Sequence, residues 1–192
     1  GVQGKKIIGI IPARYKSFRL PGKPLKDIHG KPMIYWVAKR VEDSVIKEYY
    51  VATDDDRIFD ACKEYSIPCI MTSKKCLNGT ERVAEVASNI KADFYVNIQG
   101  DEPCIDISAI NLFVASLRKF SQVNFIQAVS EIKDNESVSD DSIVKVAITE
   151  NNEILYYSRS PIPFSRGGSK NEERYYRCLG LYLYSRDFLY KY

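Results

Sequence analysis

The sequence predicts an α/β fold: a mostly parallel sheet flanked by helices, followed by a small antiparallel extension. Three observations predict it. Short apolar runs alternate with segments of helical period from Lys6 to Val129. After about Glu131 the grammar changes to strand-like pieces in succession. The chain has 192 residues and 45% hydrophobic content, enough to bury a real core in one domain or one domain with a small appendage.

Lys6 to Pro12 reads as a buried strand, a short apolar run that ends in a turn-rich loop. Pro32 opens a helix over Met33 to Glu42, with proline in the first turn where its missing N–H costs nothing and Met33, Val37 and Val41 at helical spacing. Strand and helix then alternate: Glu48 to Thr53 and Asp54 to Ser66, Pro68 to Met71 and Gly79 to Asn89, Phe94 to Ile98 and Ser108 to Lys119, then a strand over Asn124 to Val129. Such alternation gives parallel strands joined by right-handed crossovers, and ligands of these sheets collect at the carboxyl ends of the strands. Beyond Glu131, "IVKVAI", "EILYY" across the Asn151-Asn152 turn, and "YRCLGLYLYS" after a loop with prolines and Gly167-Gly168 read as antiparallel strands. The chain is thus expected to divide into an α/β core over 1–130 and a strand-rich extension of the same domain over 131–192. The aromatics of that extension (Tyr156, Tyr157, Phe164, Tyr175, Tyr176) exceed what a small sheet buries alone, which predicts a subdomain or a homodimer contact.

Composition narrows the function. Lys and Arg number 28 against 25 acids, and a net charge of +3 makes no broad basic field, so nucleic acid is not an expected partner. No apolar run approaches the ~20 residues that span a bilayer, and no signal-peptide pattern opens the chain, so no membrane partner is expected and the cytoplasm is the expected location. The five cysteines are odd in number and none shows C-x-x-C spacing, which points to buried thiols rather than disulfides or zinc. The single histidine, His29, sits among turn formers in "DIHGKP" in a tethering or solvated role, so chemistry built on a histidine base is not expected.

Three stretches carry candidate chemistry. "IIPARYKSFRLPGKPL" (Ile10 to Leu25) follows the first strand with Arg14, Lys16, Arg19 and Lys23, four cations in ten residues. It matches neither glycine-rich phosphate cradle, so side chains would have to hold an anion. Pro21 and Pro24 stiffen the backbone around Lys23. A solvated surface loop is the plainer alternative. "VNIQGDEP" delivers Gln99 and Asp101 to the same end of the sheet, where a carboxylate suits Mg²⁺ or else shapes a turn. "NGTERVAEV" opens a helix with Asn78 as N-cap and Glu81 three residues on; Arg82 in its first turn opposes the helix dipole and suggests either a ligand contact or a salt bridge to Glu85 or Glu81. "TDDDR" (Thr53 to Arg57) reads only as a helix cap.

Together with "VATDDDRI", "VKVAI", "LYYSRSPIPF" and "YRCLGLYLYSRDFL", these blocks stand in the order, and nearly at the spacing, of the bacterial 3-deoxy-manno-octulosonate (Kdo) cytidylyltransferases, which the chain resembles from about Ile7 to its last residue. The resemblance implies a Rossmann-like nucleotidyltransferase fold and a reaction of CTP with a 2-keto-3-deoxy sugar acid, giving CMP-Kdo and pyrophosphate. It implies that Arg14, Arg19 and Lys23 hold the triphosphate and that Asp101 binds Mg²⁺. Gly79, Arg82 and the backbone near Ala13 would face the nucleotide; Gln99, Arg159 and Tyr182 would face the sugar acid. The 1–130 segment becomes the nucleotide-binding core and 131–192 the sugar-binding and dimerisation extension.

The sequence departs from that family at three places. Cys178 stands where the family usually has the histidine of R-H-L-G, which leaves the sugar acid open. Cys76, Leu77 and Asn78 replace a polar pair before G-T-E-R. The family's later E-x-L-R-like helix and V-D-T-x-x-D metal motif do not occur in this sequence, so the expectation is a copy lacking that C-terminal part, or a product unable to complete its metal shell alone. A cytidylyltransferase for a different ulosonic acid and a truncated, non-catalytic nucleotide-binding paralogue are the alternative readings.

Overall fold

The computed structural model describes residues 4–17, 20–101, 105–120, 122–164 and 173–192. Arg19, Glu102, Pro103 and the Gly167-Gly168 pair lie outside the described residues. In chain order the elements are β1 (Ile7–Pro12), a 3-10 turn (Lys23–Leu25), β2 (Asp27–Ile28), β3 (Lys31–Pro32), α1 (Met33–Glu42), β4 (Tyr49–Thr53), α2 (Asp56–Glu64), β5 (Cys69–Met71), α3 (Gly79–Asn89), β6 (Phe94–Ile98) and α4 (Ile107–Ala115), which runs into a 3-10 turn (Ser116–Arg118). Then follow β7 (Phe125–Ile132), α5 (Asn135–Ser139), β8 (Lys145–Ile148), β9 (Ile154–Ser158), β10 (Tyr175–Ser185) and α6 (Arg186–Lys191).

The chain forms two compact units: residues up to 126 with 180–192, and residues 127–179. In the first unit, β5, β4, β1 and β6 lie side by side and parallel, as the alternating pattern predicts. The expected extension over 131–192 gives up its last part to this unit, because the second half of β10 pairs antiparallel with β6 (Leu181 opposite Ile98, Tyr182 opposite Asn97). A buried sheet edge cannot leave its N–H and C=O groups unpaired, and β10 supplies the partners for β6.

Alternation along β1 aims its side chains at two layers. Ile8 and Ile10 join Val83, Val86 and Ala87 of α3, with Tyr184 and Leu189, in one apolar cluster. Gly9, on the opposite side, is crowded by Val41 of α1 and by Ile46. Ile8, Ile10 and Ile11 are fully buried. Three of the helices around the sheet start on a side-chain cap: Asp55 accepts from the Arg57 N–H at 3.0 Å, Asn78 from the Glu81 N–H at 2.9 Å and Asp106 from the Ser108 N–H at 2.9 Å. His29 is exposed and adopts a left-handed φ of 53° in the β2–β3 turn.

In the second unit, β8 pairs antiparallel with β9 and with the first half of β10. Its buried cation is Lys145, fully enclosed, with Nζ donating to the Asp140 carbonyl at 2.6 Å. β9 presents Leu155, Tyr156 and Tyr157 to solvent, and Phe164 beyond it is 84% exposed.

Candidate active site

The carboxyl ends of β1 and β6 and the N-terminus of α3 enclose a cavity of about 390 Å³ in the first unit. Ala13, Arg14 and Lys23 line it from the basic arm, Asn78, Gly79 and Arg82 from α3, and Asn97, Gln99, Gly100 and Asp101 from β6 and its continuation. Eight of the expected residues bear on this region or its flanking strand: Ala13, Arg14, Lys23, Gly79, Arg82, Gln99 and Asp101 line the cavity, and Tyr182 sits on β10 with its Cα paired to Asn97. Tyr182 is not among the described lining residues; its ring stacks at 6.4 Å from Phe125 and 6.5 Å from Tyr184. Arg159 belongs to the second unit, where its Nη1 donates to the carbonyls of Asp141 at 2.9 Å and Ser142 at 3.3 Å.

The two chemically distinct stretches meet. Lys23 Nζ lies 3.7 Å from Asp101 Oδ2, with both side chains partly open to solvent (36% and 52%). A pair this exposed adds little stability, so its significance is positional: a cation and a carboxylate share one end of the cavity. Among the described residues, Asp101 is not joined by two further His, Cys, Asp or Glu side chains in a metal-ligating group.

The arm that carries Lys23 is held from below. Gly22 has a φ of 70°, donates its N–H to the Tyr15 carbonyl at 2.7 Å and lies under the Tyr15 ring, where an added Cβ would stand 2.8 Å from Cε2. That ring also meets Arg57, whose guanidinium carbon is 3.3 Å from the ring centre. Asp55 fixes Arg57 through Nε at 3.0 Å and Nη2 at 2.8 Å, and this bidentate bond draws the Asp55 carboxyl below its ordinary range. The "TDDDR" stretch, read from sequence as a cap alone, is therefore also the brace of the basic arm.

It has a third task. Arg82, 4% exposed, donates from Nη1 to Thr72 Oγ1 at 2.5 Å and from Nη2 to Asp54 Oδ2 at 3.4 Å. The salt bridge to Glu81 or Glu85, the alternative to a ligand contact, gives way to one with Asp54, because both glutamates are engaged elsewhere: Glu81 accepts from the Leu77 N–H at 2.6 Å, and Glu85 accepts from the Ser73 N–H at 2.9 Å and from the Cys76 thiol at 3.0 Å. Burial, aided by that carboxylate, pushes the Cys76 thiol up to about 11. Ala13 spends its N–H on the Ala52 carbonyl at 2.9 Å, so of its backbone polar groups only the carbonyl is left to face a ligand.

Asn97 and Ser17 line the cavity without having been expected there. The available signal for Asn97 was an amide in the middle of "FYVNI", a strand otherwise made of residues that seek the core.

A parallel sheet whose strand ends hold a basic arm, a carboxylate and a helix N-terminus is the architecture of a nucleotidyltransferase, and residues 8–192 match the family model described as Cytidylyltransferase. The 3-deoxy-manno-octulosonate cytidylyltransferase of Fusobacterium nucleatum subsp. nucleatum is 40% identical over 188 residues, covering 97% of this chain and 76% of the relative. That of Protochlamydia amoebophila is 42% identical over 193 residues, covering 97% and 74%. A solved structure of CMP:2-keto-3-deoxy-manno-octonic acid synthetase complexed with CTP superposes with a TM-score of 0.90 at 39% identity, covering 97% of this chain and 77% of that one. This chain belongs to the 3-deoxy-manno-octulosonate cytidylyltransferase family, and it spans about three quarters of the length of these relatives.

Proposed function

We propose that the chain transfers the cytidylyl group of CTP to Kdo. The anomeric hydroxyl attacks the α-phosphorus, the bond from that phosphorus to the bridging oxygen of the β-phosphate breaks, and pyrophosphate leaves. The observation that supports this most is the meeting of Lys23 and Asp101 at 3.7 Å in the strand-end cavity. Displacement at phosphorus asks for positioning and charge neutralisation more than for covalent help, which suits a site without a histidine. Lys23 and Arg14 are the described cations on the triphosphate side, and Arg19 joins them in this reading. Gly79 opens α3 at the cavity wall, where the positive end of the helix favours phosphate.

Magnesium fits the residues present. A half-exposed Asp101 carboxylate, acting with phosphate oxygens and water, matches the oxygen donors that ion takes in nucleotide enzymes. When bound, the ion supplies charge neutralisation on the phosphates. In the same reading Gln99, Tyr182 and Arg159 serve the sugar acid, the guanidinium suiting its carboxylate. The exposed Leu155, Tyr156 and Phe164 favour a homodimer, which sedimentation at micromolar concentration tests; a monomer at all concentrations removes it.

A second acceptor, another ulosonic acid, is favoured by Cys178. Its thiol bonds to Gln127 and is pushed up to about 11 by burial, so it offers a neutral, weak donor where a ring nitrogen is the family pattern. The test of both readings is pyrophosphate release from CTP by the full-length protein with Mg²⁺ and a panel of ulosonic acids. The reading expects release with Kdo, and a loss on the order of 10² in Lys23→Ala. Release no greater than the blank with every acid refutes it.

A further inference from the structure

Asn97 is 3% exposed in the wall of the cavity, and half of its amide has no partner. The amide nitrogen is turned to the Tyr184 hydroxyl, which lies 3.0 Å from Thr80 Oγ1. The amide oxygen Oδ1 is buried and accepts no hydrogen bond within the described chain. A buried acceptor left in this state is costly, and buried carbonyls are nearly always paired. The position does not call for an amide on packing grounds. Its strand neighbours Phe94, Tyr95, Val96 and Ile98 are all buried, and an aliphatic side chain of equal size would fill the site without an orphan.

Resting on the function proposed above, we propose that Asn97 is a substrate-binding residue whose Oδ1 accepts a hydrogen bond from a neutral N–H or O–H donor of the bound substrates. Asn97 lines the cavity together with the cations Arg14, Lys23 and Arg82 and the carboxylate Asp101, and its amide stands beside Gly79. Phosphate oxygens bring no protons to such an acceptor. The donors that do are the exocyclic amine of the base and the hydroxyls of the ribose or the sugar acid. An amine donor would make Oδ1 a discriminator of cytosine from uracil, since uracil presents an oxygen at the corresponding place and would leave two acceptors facing each other.

Asn97→Leu removes the acceptor at similar volume, Asn97→Ala provides a second route if leucine disturbs folding, and Tyr184→Phe removes only the partner of the amide nitrogen. Each is followed by calorimetric titration with CTP and UTP, by KM for the sugar acid, and by thermal unfolding. The expected result is a rise of roughly 10-fold or more in one substrate's constant for both Asn97 variants, with Tyr184→Phe within about two-fold of the parent. Loss confined to CTP with a collapsed CTP/UTP ratio identifies the base amine; loss of CTP and UTP alike identifies ribose; loss confined to the sugar acid identifies its hydroxyls. Constants unchanged in both Asn97 variants, or the same rise in Tyr184→Phe, overturn the proposal. Calorimetric binding needs no turnover, so a parent protein that binds CTP but releases no pyrophosphate refutes the transferase reading and leaves the Asn97 result legible.

Discussion

Replacing Gly22 by alanine tests whether the basic arm is built or merely present. The backbone there has a φ of 70°, a region that costs a residue with a Cβ about 1 kcal/mol. The new Cβ would also stand 2.8 Å from Tyr15 Cε2 and 3.1 Å from Cζ, so the ring must move. Moving it loosens the contact with Arg57 at 3.3 Å, worth about 0.5–1 kcal/mol at an exposed site. Together the cost is about 2 kcal/mol, and for a chain of this size the melting temperature should fall by roughly 4–8 °C. Turnover should fall further than stability, because a displacement of about 1 Å at Lys23 costs on the order of 10² in rate. Thermal unfolding and pyrophosphate release are read for Gly22→Ala, Tyr15→Ala and the double variant. With the ring gone, the glycine substitution should cost only its backbone share of about 1 kcal/mol. Gly22→Ala with parental melting and full turnover, or an equal cost in both backgrounds, would show that the Tyr15 ring does not brace the arm.

Asp54→Ala leaves the Arg82 guanidinium with Thr72 alone and should cost about 2 kcal/mol, modest for a buried partner because Asp54 is itself 22% exposed; denaturant midpoints measure it, and a loss below about 0.5 kcal/mol contradicts the pairing. The pH dependence of Asp55 has a definite sign. Its bond to Arg57 holds the folded carboxyl below its ordinary value in the unfolded chain, so the stability it contributes is present above that ordinary value and is lost as pH falls through the folded one. Asp55→Asn should therefore destabilise at pH 7 and converge with the parent in strong acid; a gap that persists or widens in acid contradicts it.

Much of the first unit was legible because its elements carry their own periodicity. Met33–Glu42, Gly79–Asn89 and Phe94–Ile98 fall where the apolar spacing and caps place them. The helix read from Asp54 instead begins at Asp56, since Asp55 takes the extended backbone of an N-cap. The final helix, α6, escaped notice because "RDFLYK" is short and its cap, Ser185, is also the last residue of β10. In the site, the convergence of Lys23 and Asp101 was legible from topology, because both follow strands that end on the same side. What was not legible depends on contacts across long stretches of chain. Arg57 reaches Tyr15, and Asp54 reaches Arg82, only once β1, β4 and α3 have packed. No local pattern announces either pair, and acids at a helix start have a sufficient local explanation.

If the basic arm and the tip of β6 hold one metal-bound nucleotide, calorimetric titration of CTP into the parent and Asp101→Asn, with and without Mg²⁺, will show it. The parent should bind at least about 10-fold more tightly with Mg²⁺ than without, and Asp101→Asn should lose most of that difference. Parent binding indifferent to Mg²⁺, or an Asp101→Asn variant that keeps the full metal effect, would contradict it.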